Sequence, residues 1–140
     1  MLGGNSFITI WNRYENNHYR QEINVKCRFT QKTHRSVSNS NEMRSVNVFG
    51  TIVCRIPYME NFKMPENWQA LDDDERKNYF TVQVDDYIAL GTHDYEIGRG
   101  ENAVTVPELR RKIGSQLMQA KTVKYSTQTL FGKHIRVEGV

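Results

Sequence analysis

The chain of 140 residues has only six leucines, three prolines and two cysteines, and it contains no long apolar run. Aromatic and β-branched residues are plentiful by comparison, and this bias favours strands over helices. No apolar run reaches the length that spans a bilayer, so no membrane contact is expected. The first residues lack the charged start and apolar stretch of a signal peptide, so we expect the protein to remain in a reducing cytoplasm.

Patterns that bind metals are also missing. The sequence has no Cys-x-x-Cys and no His-x-x-x-His pair, which argues against the usual zinc sites. Cys27 and Cys54 occupy apolar positions of alternating segments, and we interpret them as free core thiols that could lie close across a hairpin. A disulfide between them is the alternative. The acidic run at residues 72–75 lacks the spacing of a calcium loop and is interpreted as a solvated turn or the start of a short helix.

Signatures of catalysis are equally scarce. Gly98-x-Gly100 lacks the third glycine of a nucleotide cradle, and Asp85-Asp86 is typical of a turn rather than of an acid/base pair. No Ser-His-Asp or Cys-His arrangement has a recognisable local sequence. We therefore expect a protein without a cofactor and without catalytic activity. A small hydrolase is an alternative for which no residue stands out.

Two long alternating segments dominate the first half of the chain. Residues 19–29 and 46–56 alternate with a period of two, which predicts two half-buried strands paired in a long antiparallel hairpin. The polar stretch 30–44 between them predicts a protruding loop at the tip. The residues of this loop that could contact a partner or DNA are Lys32, His34, Arg35 and Arg44.

Shorter elements complete a single mainly-β domain over residues 1–140. A capping box, Thr105 with Glu108, predicts one short helix in the C-terminal half, ended by Gly114. Helical turns are expected at residues 65–71. Short strands are expected at residues 6–11, 80–84, 87–91, 93–97 (as the partner of 87–91), 122–127 and 134–137. The expected fold is a small antiparallel β-barrel or sandwich with a long hairpin.

Charge is unevenly distributed along the chain. Residues 1–56 carry eight Lys or Arg against three Asp or Glu, residues 57–101 four against eleven, and residues 102–140 seven against two. Solvated loops would explain this uneven distribution of charge. A basic face and an acidic face that steer stacked copies together would explain it equally well.

Three spaced patterns carry a resemblance to a known family. They are Pro65-x-x-Trp68-x-x-Leu71, then Tyr79-Phe80-Thr81-Val82-x-x-Asp85-Asp86-Tyr87-Ile88-Ala89-Leu90-Gly91, and the ending Thr127-x-x-Leu130-Phe131-Gly132-x-His134-Ile135-x-Val137-x-Gly139. With these patterns, residues 45–140 resemble the small head-completion proteins of tailed bacteriophages, the stopper or head-closure class. Relatives often have Gly-Asp where this chain has Asp85-Asp86.

The resemblance implies a structural virion protein of the head–tail connector, or neck. Such a protein is a small β-barrel that forms a ring, a hexamer or a dodecamer. The ring contacts portal, adaptor and tail-completion proteins, retains packaged DNA and joins head to tail. It would be found in the host cytoplasm during assembly and then in the virion. The resemblance does not distinguish a stopper from an adaptor or a tail terminator.

A small nucleic-acid-binding β-barrel is the alternative function. Basic loops on such a barrel can hold a phosphate backbone. The candidate contacts are Lys32, His34, Arg35 and Arg44 at the hairpin tip, and Arg110, Arg111, Lys112, Lys121 and Lys124 in the C-terminal part. The sequence lacks a motif of interleaved basic and aromatic residues, and the acidic middle segment would repel DNA over much of the surface.

Overall fold

The computed structural model describes residues 6–14, 18–37, 46–97, 103–126 and 133–140, with the side chains of 32–37 and 46–50 left out of that description. Eight strands lie within the described residues: β1 (Ser6–Tyr14), β2 (His18–Val37), β3 (Val46–Pro57), β4 (Tyr87–Leu90), β5 (Glu96–Ile97), β6 (Ala103–Val104), β7 (Leu117–Ser126) and β8 (His134–Gly139). The helices described are α1 (Pro65–Gln69), α2 (Asp73–Arg76) and α3 (Val106–Ile113), with a 3-10 turn at Gly114–Gln116.

Six strands close into an antiparallel barrel in the order β1-β2-β3-β8-β7-β4, with β4 returning to β1. Closure removes the open edges that a flat sheet of this size would expose. The expected mainly-β fold with a long hairpin is confirmed, and of the two expected architectures the barrel is the one formed. The predicted strands were too short at several ends, since β7 begins at Leu117 and β8 continues to Gly139.

Alternating side chains fill the barrel interior. Its fully buried residues include Ile8, Ile10, Cys54, Ile56 and Ile135. A second, smaller cluster lies outside the barrel wall, where Trp11 and Leu117 pack against Leu109 of α3. Thr105 caps α3 by accepting a hydrogen bond from the Glu108 N–H, and Gly114 ends the helix at φ 77°, both as expected.

A β-bulge interrupts the long alternation of β2. The pairing of β1 with β2 shifts between Ile8 and Ile10, opposite Asn24, whose φ is 58°. The extra residue changes which side chains face inward. Ile23, expected on the buried face, is therefore 42% exposed, whereas Val25 and Cys27 are buried.

Two expected strands are absent from the described barrel. Residues 80–84 form no strand, since Phe80 makes only an isolated bridge to Phe62. Residues 93–97 do not pair with β4, since β4 lies between β1 and β7. Their last two residues, β5, instead pair in parallel with β6. The Gly98-x-Gly100 segment lies outside the described residues.

Within the described part of the chain, no helix combines the length and apolar character that crossing a bilayer requires.

Candidate functional site

The β2–β3 hairpin continues beyond the barrel wall as a two-stranded arm. β8 follows β3 only as far as Ile52, which also pairs with Gln31. Six further pairs follow, from Lys32 with Thr51 to Val37 with Val46, and no third described strand joins them. We call residues 32–37 and 46–51 the β-arm. At about 3.4 Å per residue, it extends by about 20 Å.

The predicted contact residues are distributed over this arm. Lys32, His34 and Arg35 lie in its first strand, paired with Thr51, Phe49 and Val48. The expectation of a loop beginning at Thr30 was wrong for residues 30–37, because the backbone ladder with β3 continues to Val37. Polar residues are compatible with such a ribbon, since its pairing needs backbone groups and no buried face. Arg44 and the rest of the predicted loop lie outside the described residues.

The base of the β-arm is held firmly. Gln31 Nε2 donates a hydrogen bond of 2.9 Å to the carbonyl of Ser115 in the 3-10 turn. β8 also lies very close to β7 at Gly139, where an added Cβ would be 2.1 Å from the Gln119 carbonyl oxygen. The arm therefore leaves the barrel beside a closely packed pair of strands, with its base hydrogen-bonded to the 3-10 turn.

A helical cap, residues 58–86, closes the opposite end of the barrel. It follows Pro57, where β3 ends, whereas the β-arm includes Val46, where β3 begins. Trp68 is fully buried and donates from Nε1 to the Tyr79 carbonyl over 3.1 Å. The Arg76 guanidinium stacks over the rings of Tyr14 and Trp68, and this contact fixes the cap to the end of β1.

An open cleft of about 490 Å³ lies between the cap and the β1–β2 end of the barrel. Both arginines that line it already have partners within the protein. Arg20 hydrogen-bonds Glu22 and the Lys77 carbonyl, and Arg76 binds Asp73 over 2.6 Å. The hydrogen bonds of Arg20 and Arg76 therefore serve to hold the cap and the strand ends together.

Asp86 is a buried carboxyl group whose pKa is strongly perturbed. Its carboxylate is fully buried and accepts hydrogen bonds from Asn12 Nδ2, the Arg13 N–H and the Gln83 N–H at 2.7–3.1 Å. Burial raises the pKa of Asp86 to about 7, and the hydrogen bonds oppose this rise. Asp85 beside it is exposed. Asp86 is thus an internal structural link, and the interpretation of this pair as simple turn residues missed it.

Other reactive groups are unavailable or dispersed. Among the described residues, no three His, Cys, Asp or Glu side chains come together as a metal site. Cys27 and Cys54 are free and buried, as expected. A hydrogen bond between the Cys54 thiol and Cys27, together with burial, raises the pKa of Cys54. Both thiols are therefore shielded from solvent, and the Cys54 thiol remains neutral.

These features define a small closed β-barrel protein with a helical cap at one end and an extended hairpin at the other. The chain belongs to a family of unknown function, DUF6751, whose model matches residues 3–140. No curated protein and no solved structure matches it.

Proposed function

We propose that this protein is a structural component of the bacteriophage head–tail connector, a ring-forming protein of the stopper or head-closure class. The β-arm carries the proposal. An arm of six residue pairs that leaves the barrel wall is a device for reaching a neighbouring molecule.

The energetics of the arm favour a partner. A two-stranded ribbon without a core is only marginally stable in water. Its two outer edges also present backbone N–H and C=O groups that a neighbouring strand can pair with. Docking on a second copy would bury the arm and satisfy these groups, a mode of association known as β-augmentation.

Charge indicates where the arm docks. The helical cap carries eight Asp or Glu against three Lys or Arg, whereas the β-arm carries Lys32 and Arg35 and no acidic residue. The exposed Asp74 and Glu75 lie on the cap, at the far end of the barrel from the arm. The arm of one copy on the cap of the next is a heterologous contact, which closes into a ring when the rotation permits.

Shortening the arm tests the proposal. An Asn-Gly turn joining Gln31 directly to Ile52 replaces residues 32–51 and keeps the register of the barrel, because Gln31 and Ile52 are paired. Sedimentation velocity should show self-assembly of the wild-type protein, alone or with portal and adaptor proteins of the same phage. The shortened variant should remain a folded monomer. A wild-type protein that stays monomeric with every virion protein would overturn the proposal.

Charge exchange provides a matched control. Lys32→Glu with Arg35→Glu should weaken assembly, and Asp74→Lys with Glu75→Lys should weaken it similarly. The combined variant should recover assembly, since each reversed arm meets a reversed cap. If the combined variant does not assemble although both parent variants remain folded, the arm does not dock on the cap.

A second function, nucleic-acid binding, is favoured by a different surface, the outer face of β2, β3, β8 and β7.

A further inference from the structure

Four cations form a row across the outer face of the barrel. Arg28 on β2 pairs with Arg55 on β3, Arg55 pairs with Arg136 on β8, and Arg136 pairs with Lys124 on β7. We call these four residues the cation row. Since neighbouring strands lie about 4.8 Å apart, the row spans about 14 Å.

Open grooves run along this row. One, of about 300 Å³, is lined by Arg28, Arg55 and Arg136, with Thr30 and Val53 beside them. A second, of about 160 Å³, is lined by Arg136 and Lys124, together with Thr122 and Glu138. The guanidinium groups therefore border space that an extended ligand can enter from solvent.

The fold gains nothing from this arrangement. Like charges at directly opposite positions of an antiparallel pair destabilise it, and the row repeats that pairing three times. Glu138 offsets one charge by binding Arg136 over 2.5 Å. Arg136 Nε is nevertheless buried without a hydrogen-bond partner among the described residues. An external anion bound to the exposed Arg28, Arg55 and Lys124 would relieve the repulsion.

We propose that the cation row binds the phosphate backbone of nucleic acid. Arginine presents a planar fork that holds phosphate oxygens in pairs, and three of the four residues are arginine. A row of regularly spaced cations suits a ligand that repeats its negative charge at regular intervals. The row is present in a single barrel, so this binding does not depend on ring formation.

A second copy of the chain fits the row less well. The most acidic part of its surface is the cap at residues 72–75. There the Asp72 carboxylate accepts a hydrogen bond from the Glu75 N–H, and Asp73 pairs with Arg76. Two of the four carboxylates are thus already engaged, whereas every phosphate of a nucleic acid remains available.

The test measures binding of the full-length protein to a short labelled DNA duplex of arbitrary sequence by fluorescence anisotropy. With four phosphate contacts, wild-type affinity should fall about 100-fold between 50 and 200 mM salt. Arg28→Gln, Arg55→Gln and Arg136→Gln together should lower affinity at least tenfold and reduce the salt slope by about three. The control combines Arg110→Gln, Arg111→Gln and Lys112→Gln on the exposed face of α3, which removes the same charge.

Each outcome decides the proposal. Loss of DNA binding in the cation-row variant, together with normal DNA binding in the α3 variant, supports the proposal. Normal DNA binding in the arm-shortened variant, which lacks Lys32, His34, Arg35 and Arg44, also supports it. If the cation-row and α3 variants lose DNA affinity equally, net charge alone explains the loss and the proposal is overturned. An unchanged cation-row variant, absence of DNA binding, or a cation-row variant that changes only self-association would also overturn it. Circular dichroism and thermal unfolding establish that each variant folds. Arginine-to-lysine substitution at the same three positions should retain the salt slope but weaken binding.

Discussion

Asn12 Nδ2 donates a hydrogen bond of 2.7 Å to Asp86 Oδ2, and both side chains are fully buried. Asn12 also donates to the Thr81 carbonyl and accepts from the Thr81 N–H. This pair ties the end of β1 to the segment that leads into β4. Removing one partner would leave a buried polar group unpaired, at a cost of about 1–3 kcal/mol.

Asp86 should make the stability of the protein depend on pH. The pKa of its carboxyl is raised from 3.8 to about 7 in the folded state, so between these values the folded state binds more protons than the unfolded state. The free energy of unfolding should therefore fall as pH rises from about 4 to about 7, by on the order of a few kcal/mol, and then level off. Urea unfolding across a pH series measures this dependence.

Two substitutions isolate the contribution of this carboxyl. Asp86→Asn should abolish the fall with pH. Asp85→Asn should preserve it, because Asp85 is exposed and asparagine tolerates its φ of 74°. A wild-type protein whose stability is flat over this range, or an Asp86→Asn variant that keeps the fall, would refute the assignment.

The buried thiol pair should be unreactive in the folded protein. Cys27 and Cys54 are 2% and 0% exposed, and the raised pKa of Cys54 keeps its sulfur protonated. Ellman's reagent should react with both cysteines rapidly in guanidinium chloride and only at the rate of unfolding in native buffer. Rapid reaction of either thiol without denaturant would show that the barrel interior is accessible.

Gly139→Ala should disrupt the pairing of β7 with β8. The new Cβ would lie 2.1 Å from the Gln119 carbonyl oxygen, which is backbone and cannot rotate away. Destabilisation of about 1–3 kcal/mol or more is expected. Val140→Ala, at the exposed neighbouring residue, should change the free energy of unfolding by less than about 0.5 kcal/mol. Equal effects of the two substitutions would argue against this close contact.

Trp68→Ala should loosen the helical cap. It removes a fully buried ring, the hydrogen bond to Tyr79 and the stacking surface of Arg76, and about 3–5 kcal/mol of stability should be lost. Met64→Ala at the exposed start of α1 provides the control and should have little effect. Thermal unfolding of both variants makes the comparison. A Trp68 variant as stable as the Met64 variant would mean that the cap does not depend on this ring.

Local patterns predicted the elements whose signals are local. The capping box at Thr105, the helical turn around Trp68 and the β2–β3 pairing all follow from residue types at fixed spacing. Residues 80–84 alternate in the same way yet form no strand, because alternation reports burial on one side and not which neighbour supplies backbone partners.

The candidate sites were less predictable. The basic residues of the expected loop were visible in the sequence, but their position within a paired β-arm depends on how far the ladder with β3 continues. Only part of the cation row could be predicted from the sequence. Arg28 and Arg55 alternate with inward-facing residues along their strands, and this alternation places both on the outer face. Their alignment with Arg136 and Lys124 depends on the register of four strands.

The sequence by itself determined that this protein is mainly β, with a long hairpin, a capped C-terminal-half helix and two core thiols. These properties rest on periodicity and on contacts between residues close in the chain. Only the tertiary structure decided that the strands close into a barrel, that Asp86 is buried against Asn12 and that four cations share one row. The reason is physical: strand register and burial are set by contacts between distant segments, and no local pattern encodes which distant segment will be adjacent.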